Sequence, residues 1–368
     1  MKRRDFIKYG TILAGAGGVC YLCGRKIFYN GKISGVQKSP VDVRPCKNPF
    51  LYCEIQADGH IYPCCPAFLK YKTSAGSVEN EDFIRIWNGE LLSDLRKRML
   101  KGDYSMCNRD ICLYSPCSED EIPSDYTKGP KFLKISYDQE CGYNCITCRD
   151  NVIINTPEQM KLYDEVYLPK VIEAAKNAEE INLLGSGDPL FSRHSRHLIR
   201  ELIKVYPNIK FTLCTNGLLL DDKNLTELGI KNNISGISLS IDSVNRETYK
   251  KILRTDAFDT VMKNLELMAE WKKQGKIAWI AINFVVHLMN YKEMPDFVRL
   301  AQKLDVLAFF TTYRPWESAE YYKRYDEIAV FEPKNKHYKE FVQILQNPVF
   351  KDKTHCYLEP KLFDIANS

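Results

Sequence analysis

The sequence predicts an α/β fold: parallel βα units curled into a barrel or part of one, with a small cysteine-rich α+β module ahead of them. Strand-like and helix-like segments alternate between residues 131 and 313, the pattern of parallel βα units. Polar motifs recur directly after the strand-like segments. The 14 cysteines are grouped rather than scattered.

The chain opens MKRRDFIKYGTILAGAGGVCYLCGRK. Sixteen uncharged residues run from Tyr9 to Gly24 and include Cys20 and Cys23, a stretch short for a membrane span and suited to a signal h-region. Arg3-Arg4-x-Phe6-Ile7-Lys8 resembles the twin-arginine export signal. No Ala-x-Ala site follows, so residues 1–25 are expected to stay as a signal or anchor segment. A frayed basic N-terminus is the plainer reading.

Residues 40–125 hold seven cysteines: Cys46, Cys53, Cys64, Cys65, Cys107, Cys112 and Cys117. In FLYCEIQADGHIYPCC, alternating segments flank Asp58-Gly59, a hairpin signal. A helix is expected from Asn80 to Lys101, with Phe83, Trp87, Leu91, Leu95 and Met99 as a core stripe. Hairpin and helix together bring early and late cysteines into one place. Disulfides, a zinc ribbon and an iron–sulfur site all remain open for such a group.

From 130 to 315 the expected strands are Lys131–Tyr137, Ile181–Leu184, Lys210–Cys214, Gly236–Ile241, Ala278–Val286 and Val306–Tyr313. Helical patterns include Ser192–Val205 and Phe258–Lys273, the second with Val261, Leu265 and Met268 on one face. After the strands come CGYNCITC, Gly185-Ser186-Gly187-Asp188-Pro189, Thr215-Asn216-Gly217, Ser240-Ile241-Asp242, His287 with Asn290, and Arg314. In a βα barrel these loops share the face that carries the active site. His287 and Arg314 are therefore candidate contacts for substrate or cofactor. His194, His197 and His337 read as packing or surface residues, and Cys214 and Cys356 as small buried hydrophobes. Residues 316–368, with Tyr321, Tyr322, Tyr325, Phe341 and Leu345, read as a helical cover.

Cys141, Cys145 and Cys148 follow the first strand as C-x3-C-x2-C, with Gly142 allowing a tight backbone. A zinc site wants a fourth ligand, and no other cysteine or histidine lies within ten residues on either side. A [4Fe–4S] cluster held by three thiolates keeps one iron open. At these residues the chain resembles the radical S-adenosylmethionine (radical SAM) superfamily, and the resemblance spans roughly 130–315. It implies a partial (βα)6 radical SAM barrel. It implies that SAM chelates the open iron and is cleaved to a 5′-deoxyadenosyl radical that abstracts hydrogen. Ser186-Gly187-Asp188-Pro189 stands where the family has Gly-Gly-Glu-Pro, so Gly187 and Asp188 are implied at the SAM amino group. Asn216, Ser240 and Asp242 match further SAM-binding positions. The residue before the third cysteine, often aromatic in the family, is Thr147, which implies adenine contacts from elsewhere.

The N-terminal module resembles the SPASM or twitch module, which holds auxiliary [4Fe–4S] clusters, although that module usually follows the barrel. The resemblance implies Cys46, Cys64, Cys107 and Cys112 as ligands, with Cys53, Cys65 and Cys117 as substitutes or ligands of a second cluster. A cluster with four cysteine ligands carries electrons and favours oxidation of a substrate radical. The expected substrate is a peptide or protein side chain, with a sugar or other small molecule as the alternative. An iron–sulfur electron carrier without SAM chemistry and an exported disulfide-bonded binding protein are the readings from other classes. A low-potential donor such as flavodoxin or ferredoxin is the expected partner. Net charge is only +5 with 27% charged residues, too weak a bias for nucleic acid. The chemistry is expected in the cytoplasm, tethered through the N-terminal segment; twin-arginine export is the alternative.

Overall fold

The computed structural model describes residues 45–66, 69–70, 73–108, 117–183, 187–314 and 319–368. The export-like segment with Cys20 and Cys23, as well as Cys112 and Ser186, lies outside these residues. The chain divides into two compact units, the first Met1–Gln139, Asn155–Gly187 and Ser192–Thr212, the second Glu140–Ile154, Asp188–Phe191 and Leu213–Ser368.

In the first unit, β1 (Tyr52–Ile55) and β2 (Ile61–Tyr62) form the expected hairpin, with Glu54 opposite Tyr62. The turn needs Gly59, whose φ is +75°, a left-handed conformation that costs glycine nothing. β1 also pairs in parallel with β3 (Phe132–Ile135), Glu54 opposite Lys134, and β3 with β4 (Glu180–Leu183). The hairpin therefore extends the sheet of this unit. Lys134 and Glu54 form a buried ion pair of 2.9 Å across that join, and Tyr52 Oη donates to Glu54 at 2.9 Å. Buried charges need such partners.

The helix expected over 80–101 is two helices, α2 (Phe83–Trp87) and α3 (Glu90–Leu100), after a short α1 (Asn48–Leu51). The break falls at Asn88-Gly89, where Gly89 takes an extended backbone as N-cap of α3. The core stripe survives it: Trp87 and Leu95 are buried, whereas Leu91 is only partly so. Arg96 joins the pieces, donating to Pro49 O at 2.9 Å and Trp87 O at 2.8 Å, with its guanidinium 4.3 Å over the Trp87 ring. The unit continues through α4 (Pro157–Leu162), a π-helical turn (Tyr163–Tyr167), α5 (Leu168–Ala174) and α6 (Arg193–Val205).

β5 (Lys210–Thr215) leads into the second unit, with β6 (Ile234–Ser240), β7 (Trp279–Val286), β8 (Leu307–Thr312) and β9 (Cys356–Leu358). Within the first unit the strand order is β2-β1-β3-β4, and within the second β6-β7-β8-β9. β6, β7, β8 and β9 pair in parallel, with Ser240 opposite Asn283 and Ala308 opposite Cys356. The helices are α7 (Asp222–Leu228), α8 (Arg246–Leu253), α9 (Phe258–Lys273), α10 (Met294–Leu304), α11 (Ala319–Tyr322), α12 (Tyr325–Ile328), α13 (Tyr338–Leu345) and α14 (Pro360–Ala366). Their start signals are readable in the sequence: Asn245 Oδ1 accepts from Glu247 and Thr248 N–H at 2.9 and 3.2 Å, an N-cap. Gly229 ends α7 in the left-handed region.

The tail is not only helical. Cys356 lies on β9, where Tyr357 stacks on Phe309 at 4.7 Å. Cys356 is buried as expected, whereas Cys214 is only partly buried. No helix among the described residues is long and apolar enough to cross a membrane.

Candidate active site

The three-cysteine loop lies wholly in the second unit. Cys141 N–H donates to Ile153 O at 2.9 Å and closes the loop. Cys145 O accepts from Cys148 and Arg149 N–H at 2.9 and 3.0 Å, which tightens its centre, and Ile146 N–H reaches Ile252 O of α8 at 2.9 Å. Gly142 is required by close approach, since a Cβ there would sit 2.8 Å from the Phe191 ring. All three thiols are free. Two donors aim at their sulfurs: Tyr143 N–H at 3.5 Å from Cys141 Sγ and Arg149 Nε at 3.3 Å from Cys148 Sγ. Burial pushes Cys141 up to about 11 and Cys145 well above the ordinary thiol range. Three thiolates in so dry a site need positive charge beside them, which bound iron supplies. Among the described residues no three His, Cys, Asp or Glu side chains converge as ligands of one metal ion. Three thiols on one loop, met by N–H donors, are a donor set that fits a cluster.

Asp188 follows β4 and is buried. Its Oδ1 accepts from Leu190 and Phe191 N–H at 2.9 and 3.2 Å. Its Oδ2 accepts from Thr215 Oγ1 and Asn216 N–H, both at 2.8 Å. A carboxylate offers about four lone-pair sites, and four protein donors occupy them. Burial raises its pKa against the pull of those donors. Asp188 thus ties the Thr215-Asn216-Gly217 turn to its own. The acceptor role toward the SAM amino group, carried over from the longer glutamate of the family, meets oxygens already in use. Gly187 precedes it and is half-buried. Asn216 Oδ1 caps its own turn from Leu218 N–H at 3.0 Å. Gly217 sits at φ +83°, where a Cβ would lie 2.4 Å from Leu239 Cδ1.

Ser240 ends β6, partly exposed. Asp242 is buried in the left-handed region, φ 60°, and its Oδ1 accepts from Val285 N–H of β7 at 2.7 Å. Burial pushes its pKa up to about 7. His287, expected at the loop face, is fully buried. Its Nδ1 lies 2.7 Å from Tyr321 Oη and 3.3 Å from Met289 N. Because the amide must donate, Nδ1 accepts and the proton sits on Nε2, a buried atom with no hydrogen-bond partner. Arg314 pairs with Glu359 at 3.1 Å.

Sequence reading missed Asn264 on α9, whose Nδ2 donates to Gly217 O and Leu218 O at 2.8 and 3.2 Å. Its signal was a polar residue inside an apolar helix stripe. Asn290, after β7, also has a positioning role: its Nδ2 donates to Asp242 O and Val285 O, both at 2.9 Å.

In the first unit the N-terminal cysteines are drawn together by short links. Asn48 Nδ2 lies 3.7 Å from Cys64 Sγ. Cys64 packs with Leu69, and Leu69 bridges to Cys107. Cys46 and Cys107 pack on the Phe50, Leu95 and Met99 cluster. Cys117 N–H donates to Pro45 O at 2.7 Å, beside Cys46. Cys53 differs: it is fully buried in β1, and its alternation sets it on the face opposite Glu54.

Comparison with known proteins agrees with these two groups. The Radical SAM superfamily model matches residues 135–301, and the SPASM model, an iron–sulfur cluster-binding domain, matches residues 46–112. The chain thus carries a radical SAM domain with a SPASM-type cluster domain ahead of it in the sequence, and the two domains imply [4Fe–4S] clusters and SAM as cofactors. Among curated relatives, the molybdenum cofactor biosynthesis protein moc-5 of Caenorhabditis elegans is 28% identical over 195 residues, 52% of this chain and 31% of that protein. The GTP 3′,8-cyclase of Synechocystis sp. is 29% identical over 203 residues, 55% of this chain and 58% of that protein. The probable GTP 3′,8-cyclase of Saccharolobus islandicus (Y.N.15.51) is 31% identical over 186 residues, 47% and 54%. The chain thus spans from about a third to under three fifths of the length of these relatives. Among solved structures, Streptococcus suis SuiB bound to S-adenosylmethionine aligns with TM-score 0.40 at 17% identity over 61% of this chain and 46% of that one. Methylornithine synthase (PylB) aligns with TM-score 0.39 at 15% identity over 61% and 63%.

Proposed function

We propose that this protein is a radical SAM enzyme that abstracts hydrogen from a peptide or protein side chain and oxidises the resulting radical through an auxiliary cluster. The observation that carries the radical reading is the loop of Cys141, Cys145 and Cys148. It lies in one compact unit with the Asp188–Asn216 tie and with Asp242 at the end of a parallel strand. When bound, the reduced cluster and SAM supply the one-electron cleavage that generates the 5′-deoxyadenosyl radical. The chain's own residues do the holding. The three cysteines ligate. Asp188 positions the Thr215-Asn216-Gly217 turn, whose half-buried Asn216, with Gly187, Ser240 and Asp242, lines the cofactor. Cys46, Cys64 and Cys107 with Cys112 hold the auxiliary cluster, and Cys117, beside Cys46, is the alternate fourth ligand. The peptide reading rests on the SPASM-type domain; an electron donor of the flavodoxin or ferredoxin class completes it.

A nucleotide or other small molecule is the second reading, and the GTP 3′,8-cyclase relatives favour it. The test is anaerobic reconstitution, iron counting and SAM cleavage, on wild type and Cys145→Ala. About eight irons per chain, with 5′-deoxyadenosine from wild type alone, supports the enzyme with its second cluster. Deuterium transfer into 5′-deoxyadenosine from labelled GTP selects the small-molecule reading, and transfer from a labelled candidate peptide selects the other. No iron and no cleavage sinks both.

A further inference from the structure

We propose that Tyr137 is a redox-active tyrosine that takes up one-electron oxidising equivalents and passes its proton to a dedicated base, His194. Tyr137 follows β3 and is wholly buried. Its Oη lies 2.7 Å from His194 Nε2. His194, also fully buried, sets its Nδ1 2.6 Å from Asp164 Oδ1. A carboxylate oxygen accepts, so Nδ1 carries the imidazole hydrogen and Nε2 presents a lone pair to the phenol. Asp164 Oδ1 also lies 3.2 Å from Nδ1 of His197, whose side chain is 45% exposed. A line of hydrogen bonds therefore runs from a buried phenol to the surface, through groups that can each take or give a proton.

Burial holds the phenol well above its ordinary pKa and lowers that of His194, so at rest Tyr137 is protonated and His194 neutral. Loss of an electron reverses this order, because an oxidised phenol is a strong acid. One electron leaves the ring for a one-electron oxidant, a carbon-centred organic radical, which takes up a proton from solvent in the same step and closes as a C–H bond. The O–H bond breaks, and its proton bonds to Nε2. The products are a neutral phenoxyl radical and an imidazolium paired with the Asp164 carboxylate. One electron returned to the ring, with the proton returned from Nε2, restores the resting pair.

A second observation points the same way. The Tyr137 ring lies 5.2 Å from Tyr163 and 5.1 Å from Tyr167, which are 5.4 Å from each other. Tyr163, Asp164 and Tyr167 all come from the π-helical turn Tyr163–Tyr167. Such turns are rare and gather at functional sites. This one supplies two rings beside the phenol and the carboxylate behind its base. Packing alone explains buried rings. It does not require an oriented acceptor on the phenol, which phenylalanine would fill without a hydrogen-bond partner.

The test uses the full chain, with and without reconstituted iron, carrying 3-fluorotyrosine at position 137. A photogenerated ruthenium(III) polypyridyl serves as oxidant, and samples are frozen for electron paramagnetic resonance. The expected result is an organic radical with fluorine splitting, lost in Tyr137→Phe and in His194→Phe. Asp164→Asn keeps the shape of the carboxylate, removes the counter-charge of the imidazolium, and is expected to lower the yield. Circular dichroism shows whether each variant is folded. A radical without fluorine splitting, or no radical at all, in the folded chain that carries 3-fluorotyrosine at position 137 overturns the proposal. So does a yield that His194→Phe and Asp164→Asn both leave unchanged.

Discussion

Asn216 N–H donates to Asp188 Oδ2 at 2.8 Å, joining the turn after β5 to the residue that opens the segment after β4. With Thr215 Oγ1 on the same oxygen and two amides on the other, the carboxylate accepts from every side. Asp188→Asn replaces one acceptor by a donor, so one pair of protein donors faces an NH2 group. A buried donor left unpaired costs about 1–3 kcal/mol. The expected outcome is a roughly tenfold or greater loss of SAM affinity with iron content unchanged. Equilibrium dialysis of SAM against reconstituted protein measures it; unchanged affinity would show that the tie positions nothing the cofactor touches.

Gly217 is held by conformation and by space at once. Its φ of +83° disfavours any side chain, and a Cβ would meet Leu239 at 2.4 Å. Gly217→Ala is expected to cost about 1–3 kcal/mol from overpacking, with backbone strain added. Gly229, at φ +73° with nothing within 4 Å of a Cβ, is the control: Gly229→Ala pays the strain alone. Urea unfolding of the two variants separates the terms, and equal losses would remove the steric argument.

These two glycines also mark what was legible in the sequence. The strand boundaries from β3 to β8 fall within about two residues of expectation, because β-branched and aromatic runs end in turn residues there. Local chemistry likewise exposed the hairpin at Asp58-Gly59 and the C-x3-C-x2-C loop. What stayed hidden depends on distant partners. The saturation of Asp188 needs Thr215 and Asn216, which nothing in its own motif announces. β9 is three residues beside a proline, too short for any period to appear. The Asn88-Gly89 break was masked by an apolar stripe that runs through it unbroken. His287 was read at a loop face; the structure buries it beneath Tyr321.

That burial has a pH consequence. His287 is held down at about 3 by desolvation, against an unfolded value near 6.5. The folded state binds fewer protons between these values, so stability is complete above about pH 6.5 and is lost as pH falls. At pH 5 the loss from this residue is about 2 kcal/mol, from roughly 1.5 units at 1.36 kcal/mol each. It is insensitive to the folded value as long as that lies below 5. His287→Gln keeps a polar side chain of similar reach and removes the titration. Urea unfolding at pH 7 and pH 5 should show a drop for wild type exceeding that of the variant by about this amount. Equal drops would place the acid sensitivity elsewhere.

The cysteines of the first unit divide by environment, and the division predicts iron content. Cys64 lies beside Asn48 Nδ2 and within a chain of contacts that reaches Cys107. Cys53 sits in the middle of β1, opposite Leu133 of β3, fully buried, its thiol pushed well above the ordinary range by desolvation and then by Glu54. Arg96 pulls that thiol down, but burial outweighs it, and a cluster cannot enter a paired strand without breaking the ladder. Cys53→Ala is therefore expected to keep the full iron content and to lose only packing, about 1 kcal/mol. Cys64→Ala is expected to lower iron by about four per chain, leaving the Cys141, Cys145 and Cys148 loop loaded. Mössbauer and iron assays on both variants decide it. Iron lost from Cys53→Ala while Cys64→Ala stays full would exchange their roles.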